Sequence, residues 1–215
     1  MAGGFFNPEN GLFRYTEKLV DLFFLSVFWV FCSLPVFTLG PATAALYNTV
    51  RRTIRGSERN GWVMFFRTFA ANFKVGALTT LVALPVGFLL LVLHELLYRT
   101  ASISATGVLV YAAYCVFLLL PIGVGCYLFP VLSRFTFGVG GLISTCAKLA
   151  VAHLPSTVAA AVVLCLTVSL CSILPVAIFV LPAVVALIHS LLFERIFRPY
   201  IRAQLGEDDG GAEEE

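Results

Sequence analysis

The chain has 215 residues, of which 60% are hydrophobic and 12% charged, with a mean hydropathy of +0.95. Soluble domains carry about 25% charged and about 45–50% apolar residues. Half that charge excludes a soluble globular domain and, over most of the length, a disordered chain.

There are 14 Lys and Arg against 12 Asp and Glu, and six of the acids (Glu207, Asp208, Asp209, Glu213, Glu214, Glu215) fall in the last nine residues. The body is therefore basic. In a soluble domain this would point to nucleic acid. In a membrane protein it marks loops beside anionic lipid on the cytoplasmic side, so the bilayer is the expected partner and nucleic acid is not. Cys32, Cys115, Cys126, Cys146, Cys165 and Cys171 form no C-x-x-C pair. They read as small packing residues, with no metal or other cofactor implied.

In chain order, the first 18 residues mix Glu9, Arg14, Glu17 and Lys18, so the apolar run after them reads as a retained span rather than a cleaved signal. Runs free of Asp, Glu, Lys and Arg cover 22–50, 75–94, 100–133 and 149–193. As one helix the last run would measure about 67 Å, more than twice a hydrocarbon core of about 30 Å. It is split at Pro175 and Pro182. The expected fold is an all-α membrane protein with five transmembrane helices, about 19–40, 75–97, 107–130, 156–174 and 177–197. These form a single membrane domain over 1–202, and 203–215 is expected to be a disordered acidic cytoplasmic tail. This arrangement places 11 of the 14 basic residues on one side and leaves Arg14, Lys18 and Arg99 on the other. The N-terminus is then outside and the C-terminus inside. An unsplit last run would reduce the bias to 8 against 6.

Amphipathic interfacial helices are expected between the spans. At 100° per residue, Leu46, Tyr47, Val50 and Ile54 share one face of 43–55, and Arg51, Arg52 and Arg55 the other. Over 62–74, Trp62, Phe65, Phe66, Phe69 and Phe73 line a narrow face away from Arg67 and Lys74. An aromatic face beside a basic one lies in the headgroup plane or packs beneath the spans. Over 142–154, Leu142, Ile143, Cys146, Leu149 and His153 face away from Lys148. Span, amphipathic segment and span thus recur over 19–97 and 107–174. Arg67 stands five residues before Asn72, as Lys148 does before His153, and this raises an internal repeat.

Ionisable groups at membrane depth are site candidates. Asp21 has Lys18 at i−3. His94 and Glu95 end the second span with Arg99 at i+4 from Glu95. His189 lies in the last span. For each carboxylate an interfacial ion pair is the plainer reading. Arg51, Arg52, Arg55, Trp62, Arg67 and Lys74 are candidate docking residues for a partner or for lipid. No span holds two central carboxylates, and no P-loop, metalloprotease or serine-hydrolase motif occurs, so no enzyme is expected.

Two stretches resemble the YesL-like family of bacterial membrane proteins, grouped as domain of unknown function 624. The first is Phe5-Phe6-Asn7-Pro8, Asp21-Leu22, Trp29, Leu34-Pro35-Val36-Phe37-Thr38-Leu39-Gly40 and Ala44-Ala45-Leu46-Tyr47. The second is Arg55-Gly56, Phe65-Phe66-Arg67-Thr68-Phe69 and Asn72-Phe73-Lys74. Pro130-Val131-Leu132-Ser133-Arg134-Phe135 and His153-Leu154-Pro155 also fit. Ser26 departs from the asparagine that members often carry. The resemblance implies a multi-pass cell membrane protein of unestablished activity, with carbohydrate transporter subunits as expected partners. A non-enzymatic accessory component of carbohydrate transport is the leading reading, and a small oligomeric transporter or channel, self-associating, is the alternative.

Overall fold

A computed structural model describes residues 11–55 and 60–210, with side chains described over 18–55 and 60–201. Among them are eight α-helices and no strand: α1 (Gly11–Cys32), α2 (Leu39–Val50), α3 (Gly61–Ala71), α4 (Phe73–Ala101), α5 (Ala105–Leu132), α6 (Val139–Ala152), α7 (Leu154–Ile173) and α8 (Leu181–Gly210). α4, α5 and α7 are each long and apolar enough to cross a membrane. Their limits fall within a few residues of three expected spans, because charged or polar residues bound each run. The run 149–193 is split as expected, by a 3-10 turn at Pro175–Phe179.

The expected first span, 19–40, is replaced by a hairpin. α1 ends at Cys32, and α2 returns alongside it. Lys18 Nζ donates to the Ile54 carbonyl at 2.8 Å, and Trp29 Nε1 to Thr43 Oγ1 at 3.0 Å. Rising numbers on α1 thus meet falling numbers on α2. The bend at Ser33-Leu34-Pro35 leaves helix-end carbonyls to be satisfied. The Thr38 hydroxyl lies 2.6 Å from the Cys32 carbonyl and 2.5 Å from that of Pro35, so the turn supplies its own donor.

α2 is not an interfacial helix. Gly40, Pro41, Ala42 and every residue from Ala44 to Val50 are buried, and α1, α3, α4, α5 and α8 all pack around it. The helical wheel set three arginines against an apolar face, but residues 39–50 contain no charge. The arginines sit at the end of the helix, in a π turn at Arg51–Arg55. A helix apolar on all sides belongs in the interior, and its small residues let neighbours approach closely. A Cβ on Gly40 would stand 2.5 Å from the Gly76 carbonyl oxygen of α4 and also collide with Thr80 Oγ1.

The other helices pair likewise. Tyr114 Oη donates to the Leu90 carbonyl at 2.6 Å, so α5 descends beside α4. α8 starts beside the middle of α1, where Ser26 Oγ donates to the Val180 carbonyl and accepts from the Ala183 N–H, at 3.2 and 3.1 Å. Val180 has no side-chain acceptor and Pro182 no N–H, so a hydroxyl from another helix caps α8. The serine that departs from the family pattern thus makes a polar contact across the bundle.

Three hairpins result, α1–α2, α4–α5 and α7–α8. α3 packs along α2, and α6 along the last turns of α5, near the end where the descending legs finish. Both ends of the described chain leave there, in place of the expected opposite exits. α8 continues as helix to Gly210, past the expected tail boundary at 203. Residues 211–215 lie outside the described residues.

Gly40→Ala should lower stability by about 1–3 kcal/mol, since the α2–α4 crossing has no room for a methyl group. Ser26→Ala should cost about 1–2 kcal/mol through the lost cap and buried hydrogen bonds. Thermal unfolding in detergent checks both, and a wild-type midpoint for Gly40→Ala would refute the tight crossing.

Candidate functional site

The three descending legs converge on one carboxylate. Glu194 of α8 is 8% exposed. Arg134, two residues past α5, donates from Nη2 to Glu194 Oε2 at 3.1 Å, and Arg51 Nε stands 3.6 Å from Glu194 Oε1. Arg55 Nη1 donates to the Ser190 carbonyl at 2.7 Å, one turn earlier on α8. The π turn brings Arg51 and Arg55 to α8 together, and π turns recur at functional positions.

Two guanidiniums thus share one acid. Burial, then the neighbouring Arg134, lowers the pKa of Arg51 from its ordinary value, while Glu194 acts in the opposite sense. Arginine remains protonated regardless, so the cluster carries surplus positive charge. Tyr47 lies one turn before Arg51 and is 2% exposed. It is near enough to Glu194, Arg134, Arg51 and Arg55 to sense each charge. Beneath the cluster Tyr127 packs against Phe193 at 4.3 Å between ring centres.

The docking candidates divide. Arg51 reaches Glu194 within the bundle, whereas Arg55 is exposed and donates to the Ser190 carbonyl. Arg52 is exposed and engaged in an interaction of its own. On α3, Phe65 is fully buried and Phe69 partly so, whereas Trp62 and Arg67 are exposed, as is Lys74 at the start of α4. α3 therefore packs alongside α2 and against Phe28 of α1, and it shows an aromatic and basic edge. On α6, Leu142, Cys146 and Leu149 are buried and Lys148 is exposed; burial pushes the Cys146 thiol up to about 12.

The intramembrane candidates do not assemble. Asp21 is half-buried on α1 and has an interaction of its own. Glu95 pairs with Arg99 at 2.7 Å on an exposed face. His94 packs against Tyr111, 5.5 Å away, near the α4–α5 tip. His189 is buried at the other end of the bundle, with Nε2 3.3 Å from the Ala160 carbonyl oxygen. Among the described residues no group of three or more His, Cys, Asp or Glu gathers as a metal site would require.

Sequence reasoning passed over Glu194, Arg134 and Tyr47 as site residues. One signal was available: Glu194 is the only acid between Glu95 and Glu207.

Residues 22–92 match the family model described as "Protein of unknown function, DUF624". The resemblance expected from the sequence holds over that stretch, which runs from Leu22 in α1 to the middle of α4. It contains Tyr47, Arg51 and Arg55 but neither Arg134 nor Glu194, so the DUF624 match covers one side of the cluster. No curated protein and no solved structure matches the chain.

Glu194→Ala should destabilise the protein by about 3–5 kcal/mol, because two partly buried guanidiniums lose their shared counter-charge. Adding Arg134→Met should recover part of that loss. A double-mutant cycle of thermal stability in detergent measures the coupling, and purely additive effects would contradict it.

Proposed function

We propose that this is a non-enzymatic integral membrane protein of three helical hairpins. Both termini lie on the cytoplasmic side, and it serves as an accessory component to a carbohydrate transport system. One observation carries the membrane placement: the end where the descending legs finish collects nearly all the positive charge. Counting loop residues by their place in the chain, 13 of the 14 basic residues belong to that end, and Arg99 alone lies toward the opposite tips. This is a stronger positive-inside bias than the 11 that five spans allow.

The tips support the same reading. The α4–α5 tip carries Glu95, Arg99, Ser102 and Ser104, as a segment reaching water should. The tips at 31–38 and 173–180 hold no charged residue and expose Phe31, Leu34 and Val36, and Ile173 and Val176. Apolar tips suit hydrocarbon. Irregular backbone there must find partners within the protein, as Thr38 and Ser26 provide. Whether these two hairpins emerge or end within the bilayer, they return the chain to its starting side.

The accessory role rests on the family likeness and on the exposed edge of Trp62, Arg67 and Lys74. That edge faces the same side and suits a cytoplasmic or membrane partner.

Sidedness reporters at the N-terminus, residue 57, residue 136 and the C-terminus should all read cytoplasmic, and a reporter at residue 103 should read external. An external N-terminus would restore the five-span arrangement. Gentle detergent extraction should co-purify transporter subunits, and Trp62→Ala with Arg67→Ala should reduce the yield. Sugar flux through liposomes containing the chain alone would instead establish a transporter.

A further inference from the structure

We propose that Arg51, Arg134 and Tyr47 form a binding site for a phosphate-type oxyanion at the end of the bundle where α2, α5 and α8 meet. The two guanidiniums offer ten N–H donors between them. Toward Glu194 they make one hydrogen bond, from Arg134, since the 3.6 Å approach of Arg51 is an ion pair beyond hydrogen-bond reach. Arg51 Nε, Arg134 Nε and Tyr47 Oη are all buried without a hydrogen-bond partner among the described residues.

The tyrosine is the independent observation. A buried hydroxyl left unpaired costs folding free energy, yet Tyr47 places one on the same helical face as Arg51, within electrostatic reach of both arginines. Each arginine side chain keeps 19% of its surface exposed, so the cluster opens to a ligand from outside the bundle. Arginine forks recognise planar or tetrahedral oxyanions bidentately. Glu194 already fills the place of a planar carboxylate between them. A phosphate, with three or more acceptor oxygens, can engage the remaining forks and the phenol together. Arg55 and Lys18 add positive charge nearby, each held by a backbone carbonyl. The same phosphate chemistry is available from a lipid headgroup or from free phosphate in the cytoplasm.

The lipid source rests on the membrane placement proposed above, whereas the free-phosphate source does not, so the two readings fail separately. The test uses the full chain in phosphatidylcholine nanodiscs. Its thermal midpoint is followed during titration with inorganic phosphate against chloride at matched ionic strength, and in parallel in discs containing phosphatidylglycerol. A midpoint that rises with phosphate supports the site with a free oxyanion. A rise confined to phosphatidylglycerol discs supports it with a lipid headgroup. Tyr47→Phe preserves the ring; it should leave the ligand-free midpoint unchanged or higher and weaken ligand stabilisation about tenfold in apparent affinity. Arg134→Gln should abolish the response. The proposal is overturned by a wild-type midpoint indifferent to both ligands, by a Tyr47→Phe response equal to wild type, or by a lower ligand-free midpoint in Tyr47→Phe, which would give the hydroxyl a purely structural role.

Discussion

Glu194 is the one carboxylate on which the three hairpins agree. α2 delivers Arg51, the chain just past α5 delivers Arg134, and α8 delivers the acid itself. Apolar packing alone leaves helices in lipid free to slide and rotate, because hydrocarbon outside is as apolar as the core inside. A two-armed ion pair has a definite place along each helix and a definite face. It fixes the register of the descending legs against one another, and Tyr127 against Phe193 packs directly on that register. The pair is not primarily a source of stability, since the desolvation of three charges offsets most of their attraction. What it supplies is a unique arrangement.

α2 makes that arrangement reachable. Twelve residues, about 18 Å of helix, are too short to cross a bilayer alone. From Gly40 to Ala45 they carry only small side chains and one proline, and five other helices rest on them. The close approach at Gly40 and Gly76 sets α2 against α4, and Tyr47 at its other end leads into the charged cluster. The same segment thus centres the bundle and aims the arginines of the π turn at α8. Polar side chains complete the places where backbone would otherwise be unsatisfied, Thr38 at the first hairpin turn and Ser26 at the start of α8.

The parts of this fold that the sequence displays are those written in uninterrupted apolar length. The helices over 73–101, 105–132 and 154–173 were visible because charge or a turn bounds each, and the split near Pro175 because 45 uncharged residues exceed one crossing. The hairpin within 22–50 was hidden for the complementary reason. A run of 29 uncharged residues reports its length but not its reversal, and the reversal depends on Thr38 reaching back six residues to Cys32. The arginines misled because a helical wheel assigns every residue to a face, whereas Arg51, Arg52 and Arg55 occupy an end. The site was illegible for a different reason. Arg51 and Arg134 lie 143 and 60 residues from Glu194, while the adjacent Arg195 offered a nearer but irrelevant partner.

The suspected repeat takes a sharper form in three dimensions. α3 breaks at Asn72 before α4, and α6 breaks at His153 before α7. Across each break the carbonyl of the break residue accepts from the N–H four residues on, Gly76 at 2.8 Å and Thr157 at 3.0 Å. At those same positions the ascending helix meets a descending one, Gly76 against Pro41 of α2 and Thr157 against Gly123 of α5. The repeating unit is therefore a short helix at the basic end, a one-residue break and an ascending leg packed on the descending leg before it. Among the described residues, α1 has no short helix of this kind before it, and α8 is the last descending leg. The acid stands on that last leg. There Arg51 from the end of α2 and Arg134 from just past α5 both reach Glu194.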